Sequence, residues 1–354
     1  MSELELPGRL GDPNMTFIDD PRADPRIVAA AAMMEVAPGV ESPGRDGDYE
    51  AALAYCSATE EAGAQAHPIL LEMMPAFDDI ESTKETIAGV DGNEITLYID
   101  RPKNQEGALP AMLHTHGGGM VLMTAEDPMF IRWRKSVAQL GMVVVGVEFR
   151  NGGGKLGNHP FPAGLNDCAS AAKWVSEHRA DLGISHFIIS GESGGGNLSI
   201  ATTLKAHKEG WSDQIHGVYA MCPYISGVYR DPTPDLISLV ENDTYMLSCD
   251  DMALLSLVYD PENKQASNPL AWPLQAQVEE LAGLPPHIIS VNELDPLRDE
   301  GLQFYRKLVA AGVPSTARTV HGTPHAGDLG FVDIAPEVTA QTLASVEQFA
   351  KSVG

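Results

Sequence analysis

The chain is 354 residues long and 44% hydrophobic, enough to bury a sizeable core around one sheet. It carries 49 Asp and Glu against 23 Lys and Arg, a net charge of −26 that repels phosphate backbones and anionic lipid, so no nucleic-acid or membrane partner is expected. No basic start precedes an apolar run, no stretch approaches the length of a spanning helix, and Cys56, Cys168, Cys222 and Cys249 form no CxxC pair. A cytoplasmic protein with reduced thiols is expected.

Residues 1 to 45 are rich in Pro, Asp and Ala, with one helical run from Pro25 to Val36. A second helical stretch follows in DYEAALAYCSATEEAGA. KETIAGVDGNEITLYIDRP then reads as two strands around a Val90-Asp91-Gly92-Asn93 turn. Beyond it, the apolar runs ALPAMLHTH, GMVVVGVEF, HFIIS, GVYAMC, PHIISV and STARTV alternate with helical segments such as DCASAAKWVSEHRADLG. Continuous apolar strands separated by helices predict a largely parallel sheet covered on both faces. Residues 225–265 break the rhythm, with helical stretches and no clear strand, and read as an insertion lying over the sheet.

HFIIS runs into SGESGGGN and then a helical stretch. Gly191-Glu192-Ser193-Gly194-Gly195 therefore places G-x-S-x-G between a strand and a helix, where a sharp turn exposes a nucleophilic serine. A glycine-rich tight turn or phosphate cradle is the plainer reading of this stretch alone. It lacks the Lys-Ser/Thr of a P-loop, and partners elsewhere in the chain decide the matter.

A serine that attacks a carbonyl needs N–H donors for the developing oxyanion. The strand PAMLHTH ends in His116-Gly117-Gly118-Gly119, an HGGG-type motif, and the amides of Gly118, Gly119 and Gly194 are the expected donors. His114-Thr115-His116 also suggests a zinc site, but the three glycines that follow supply no further ligand. No metal is expected, and His116 is expected to hold the glycine loop by hydrogen bonding.

The chain order for this arrangement is Ser, then Asp or Glu, then His. Of the downstream histidines, His207 lies on the helix after the serine, while His216 and His287 precede or begin strands. His325, in a Gly322/Pro324/Gly327 loop after STARTV, is preferred as general base over His321 at the strand end. NELDPLRDEG offers Glu293, Asp295 and Asp299 as the acid. Asp295 is preferred because it follows the strand directly and precedes Pro296.

The stretches HTHGGGM, HPFPAGLNDC, GESGGGN, NELDPLRDEG and GTPHAGD resemble the hormone-sensitive-lipase-like esterases, bacterial family IV, of the α/β-hydrolase fold. The resemblance covers most of residues 85–354. It implies a mostly parallel central sheet of about eight strands flanked by helices, with a helical cap and a Ser193-His325-Asp295 triad. It further implies hydrolysis of small-molecule carboxylic esters of short to medium chain, no cofactor, and often a homodimer. The expected organisation is N-terminal cap helices over 1–50, core over 51–224, cap insertion over 225–265 and core again over 266–354. Two positions depart from many relatives: Glu192 before the serine, and Ala326-Gly327 after His325.

Met120, Met123 and Met129 follow the oxyanion loop, and Tyr224 ends a strand near it. Met120, Met123 and Tyr224 are candidates for an acyl pocket, with ordinary core packing as the alternative. Arg150-Asn151-Gly152-Gly153-Gly154-Lys155 could suggest a phosphate loop but reads better as a connection toward Pro160 and Pro162. A lactonase or amidase could use the same triad. A non-catalytic small-ligand receptor is the reading from a different class, and intact Ser193, Asp295 and His325 argue against it.

Overall fold

Eight strands form one sheet in a computed structural model that describes residues 5–34 and 40–354. They are β1 (Ile80–Ala88), β2 (Glu94–Pro102), β3 (Leu109–Thr115), β4 (Val143–Glu148), β5 (Ile184–Glu192), β6 (Gly217–Met221), β7 (His287–Asn292) and β8 (Ser315–Val320). Their order across the sheet is β1-β2-β4-β3-β5-β6-β7-β8. The first two form an antiparallel hairpin, with Ile80 opposite Pro102 and Ala88 opposite Glu94, and β2 runs antiparallel to β4. Every other pairing is parallel. Helices cover both faces of this mostly parallel sheet, the architecture the sequence pattern predicts.

The unbroken apolar runs of the central strands follow from this burial on both faces. Successive residues point to opposite sides. Met112, Val144 and Ile188 join Trp133 and Val137 of the helix Pro128–Gln139 and Val346 of the helix Pro336–Ser352. Their neighbours Leu113, Val145 and Ile189 join Leu165 of Ala163–Glu177 and Leu198 of Gly194–Glu209. The parallel strands thus all bring their carboxyl ends to one edge, where ligands gather in such folds.

Over residues 225–265 the chain forms the helices Ser238–Glu241 and Cys249–Tyr259. The helix Tyr49–Ala64, opened by the Asp48 side chain accepting from the Ala51 amide, packs against Cys249–Tyr259. Its Ala52 and Cys56 share one apolar cluster with Met252 and Ala253. A division at residue 50 therefore separates this helix from the insertion it packs on. Phe17 and Ile27 pack with Tyr245 of the insertion and with Leu294, beside Asp295. The N-terminal helix is described as Pro25–Met34, and Glu35 and Val36 lie outside the described residues.

Candidate active site

Ser193 stands between β5 and the helix Gly194–Glu209 with φ 56° and ψ −120°, a left-handed value costly for a residue with a side chain. Its amide donates to the Met221 carbonyl at the end of β6 at 2.9 Å, and its carbonyl accepts from Tyr224 and Asn197, both at 3.1 Å. The flanking glycines let the turn fit. A methyl group at Gly191 or Gly195 would overlap the Thr115 carbonyl of β3, and one at Gly196 would sit 3.0 Å from the Met221 carbonyl. The glycines are thus a packing requirement of strand-to-helix contact, and Ser193 is left half-buried at the sheet edge.

The glycines after β3 lie directly against this turn. A side chain at Gly194 would place its first carbon 2.7 Å from the Gly119 nitrogen and 2.5 Å from the Met120 nitrogen. Gly118 and Gly119 adopt φ 98° and 63°, which glycine adopts without steric cost. The structure therefore brings the amides of Gly119 and Gly194 together, with Gly118 one residue away. Three parts of the chain hold this loop. Gly152 and Gly153 donate to the carbonyls of Met120 and Val121 at 2.9 and 3.0 Å, and Glu60 accepts from the Met123 amide at 2.7 Å. The third is Glu192, which accepts from the Gly117 amide at 2.8 Å.

Sequence reading found none of these props. The Arg150–Lys155 stretch backs the glycine loop after β3 through Gly152 and Gly153, while Arg150 itself pairs with Asp91 and Asp167. His114 is fully buried, with Nε2 3.0 Å from Glu192. Burial pulls its pKa below the ordinary value despite the carboxylate, so a neutral ring donates to Glu192. His116 stacks on Phe149 with ring centres 4.1 Å apart, and its Nδ1 lies 2.8 Å from the Gly117 carbonyl. The two histidines that suggested zinc are absorbed in the loop's support.

His325 Nδ1 lies 2.8 Å from Asp295 Oδ2, and the second Asp295 oxygen accepts from the Leu297 amide at 2.9 Å. Asp295 is fully buried, while the His325 side chain keeps 14% exposure. Burial disfavours a charged imidazole, but the Asp295 carboxylate outweighs it and holds His325 well above the ordinary histidine pKa. The rival candidates lie elsewhere. His321 is 76% exposed and pairs with Glu293 at 3.1 Å, and Asp299 accepts from the Ser238 amide of the insertion.

Met120 is buried, Met123 half-buried with φ 74°, and Met129 half-buried. Tyr224 is buried, stacked on Tyr229 at 4.3 Å, with its hydroxyl donating to the Met252 carbonyl. A recess of about 440 Å³ lies against the insertion, lined by Val228, Arg230, Ser256, Leu257 and Asp260 among others. None of the triad candidates borders it.

Residues 112–328 match the family model for the alpha/beta hydrolase fold. Brefeldin A esterase, a bacterial homologue of human hormone-sensitive lipase, is 43% identical to the chain and superposes with a TM-score of 0.92 over 98% of both chains. The structure of esterase Est22 is 38% identical, with a TM-score of 0.82 over 95% of this chain and 99% of its own. Esterase LipI of Mycobacterium tuberculosis is 31% identical over 305 residues, 78% of this chain and 91% of that protein.

Proposed function

The chain belongs to the α/β-hydrolase fold family as a carboxylic-ester hydrolase, and from that premise we propose that Ser193 is its nucleophile, His325 its general base and Asp295 the residue that orients the base. The observation that carries this reading is the 2.8 Å contact of His325 Nδ1 with a fully buried Asp295, at the same sheet edge as the Ser193 turn. Asp295 fixes the tautomer that leaves Nε2 as acceptor. His325 removes the Ser193 hydroxyl proton as Oγ attacks the ester carbonyl, and then protonates the leaving alcohol. Water, deprotonated by His325, releases the acid from the acyl-serine.

The amides of Gly118, Gly119 and Gly194 receive the oxyanion in both steps. The positive φ of Gly118 and Gly119 and the close approach of Gly194 to the Gly119 nitrogen support this assignment. Short- to medium-chain esters are the proposed substrates, with Met120, Met123 and Tyr224 as the candidate lining of the acyl pocket. Among the described residues no helix is long and apolar enough to cross a membrane, and all four cysteines are free and buried. The free thiols support a reducing, cytoplasmic setting. A homodimer rests on the family resemblance alone.

The test is release of p-nitrophenol from esters of graded acyl length, by wild type beside Ser193→Ala. Turnover by wild type with a loss of several orders of magnitude in the variant is expected. Comparable turnover by both would remove Ser193 from the mechanism.

A further inference from the structure

Cys222 takes no part in the proposed reaction, yet it stands inside the site. It follows β6 directly, with φ 35°, a backbone value uncommon for any residue but glycine. Its amide donates to the Ser290 carbonyl of β7 at 2.7 Å, and its side chain is buried. The strained backbone persists where Met221, the preceding residue, anchors the Ser193 amide.

The Cys222 sulfur, a carboxylate oxygen of Asp295 and a ring nitrogen of His325 all lie within 4.8 Å of one another. Among the described residues no other three His, Cys, Asp or Glu side chains come this close, although the chain holds 49 acidic residues. Thiol, imidazole and carboxylate are the donors that zinc accepts, at about 2.3, 2.0–2.1 and 2.0–2.2 Å respectively. Tetrahedral bonds of those lengths set ligand atoms roughly 3.5 Å apart, so side-chain rotations of an ångström close the set. The His325 side chain keeps 14% exposure, which gives a cation an entry and leaves its fourth position to water.

We propose that Cys222, Asp295 and His325 form a binding site for a thiophilic divalent cation such as Zn²⁺ or Cd²⁺, and that filling it stops hydrolysis reversibly. The thiol proton passes to solvent as the metal–sulfur bond forms, and nothing is oxidised or reduced. The resulting thiolate and the Asp295 carboxylate together balance the two positive charges. Coordination and catalysis exclude each other at either imidazole nitrogen. A metal on Nε2 removes the lone pair that takes the serine proton, and a metal on Nδ1 displaces the Asp295 hydrogen bond that orients the ring.

The inhibitory consequence rests on the role proposed above for His325, whereas binding does not. Cd²⁺ titration in metal-buffered solution, followed by both thiolate-to-metal absorption and ester hydrolysis, separates the two. Wild type is expected to take up one Cd²⁺ per chain, gaining the absorption band in step with loss of activity, and EDTA is expected to reverse both. Cys222→Ser and Cys222→Ala, each hydrolysing esters before metal is added, are expected to lack the band and to need at least about tenfold more Cd²⁺ for the same inhibition. Inhibition of wild type without the band, or equal inhibition of the folded variants, would overturn the site. A full band in wild type with undiminished hydrolysis would overturn the switch, and with it the role given to His325. Should neither variant fold, His325→Gln read by the band alone decides: it is expected to need at least about tenfold more Cd²⁺ for the band, and an unchanged titration would overturn the site.

Discussion

Glu192 reaches back across the strand ends to accept the amide of Gly117 at 2.8 Å, tying the residue before the proposed nucleophile to the first glycine of the oxyanion loop. Its other oxygen takes the hydrogen bond of buried His114 at 3.0 Å. One carboxylate thus couples the nucleophile turn to the donors that must lie beside it. Glu192→Ala is expected to lower kcat at least about tenfold, less than the roughly 10²–10³ lost with a deleted donor, and to change KM little. Glu192→Gln keeps an acceptor for Gly117 and should recover most of the rate. Steady-state kinetics of the pair checks this, and an alanine variant with wild-type kcat would show that Glu60 and the Gly152–Gly153 contacts hold the loop unaided.

In the proposed mechanism the Asp295–His325 pair sets the pH dependence. Only the neutral ring accepts the serine proton, and Asp295 raises the pKa at which neutrality is reached. Activity should therefore rise with pH, with the acid limb of kcat/KM centred above the ordinary histidine value of 6.5. Asp295→Asn removes the carboxylate, so the limb should move to lower pH while kcat drops by about 10⁴. A limb that stays in place in the asparagine variant would assign it to another group.

Glu300 gives the fold a pH dependence of its own. It is buried, accepts from the Ile225 amide at 2.6 Å and the Tyr229 hydroxyl at 2.8 Å, and burial pushes its pKa from 4.5 up to about 8. Between those values the folded chain holds a proton that the unfolded chain has released. The contribution is full below the unfolded value and declines as pH rises through the window. Glu300→Gln retains the acceptor oxygen without the ionisation, so urea unfolding across about pH 5 to 8 should lose this falling component. An unchanged slope would place the ionisation elsewhere.

Glu241 joins three parts of the chain. It pairs with Arg22 of the N-terminal segment and with Arg298, 2.8 Å away on the helix after Asp295. Arg298 and Asn242 both donate to the Glu293 carbonyl, and Asn242 also donates to that of Asp295 at 3.1 Å. Glu241→Ala would remove the carboxylate shared by two guanidiniums, each about a fifth exposed or less, leaving Arg22 with Asp20 at 2.7 Å and Arg298 with Asp299 at 3.0 Å. A loss of about 1–2 kcal/mol is expected, below that for stranding a buried charge because each guanidinium keeps a second carboxylate. Denaturant midpoints measure it, and a loss below about 0.5 kcal/mol would mean the network holds nothing in place.

Structure was legible where it is local. The elbow at Ser193, the Gly117–Gly119 loop and the preference for Asp295 over Asp299 follow from glycine spacing and from position after a strand, and the sheet follows from continuous apolar runs. Glu192 shows the limit. Its difference from many relatives marked the position without giving it a partner, and the structure buries it beneath the glycine loop after β3. The props from Glu60, Gly152 and Gly153 and the Arg22–Glu241–Arg298 bridge join residues 30 to more than 200 positions apart, and no short-range pattern marks such pairings. Cys222 likewise read as one more buried thiol until β6 and β8 set it beside His325.

The central claim is that Ser193 carries the acyl group. Mass spectrometry of the chain after treatment with a fluorophosphonate, which captures an activated serine, tests it most directly. The account predicts one adduct per chain, on the peptide that contains Ser193, formed in step with loss of ester hydrolysis. Complete inactivation with the adduct on another residue, or unmodified Ser193 in an enzyme that still turns over, would contradict it.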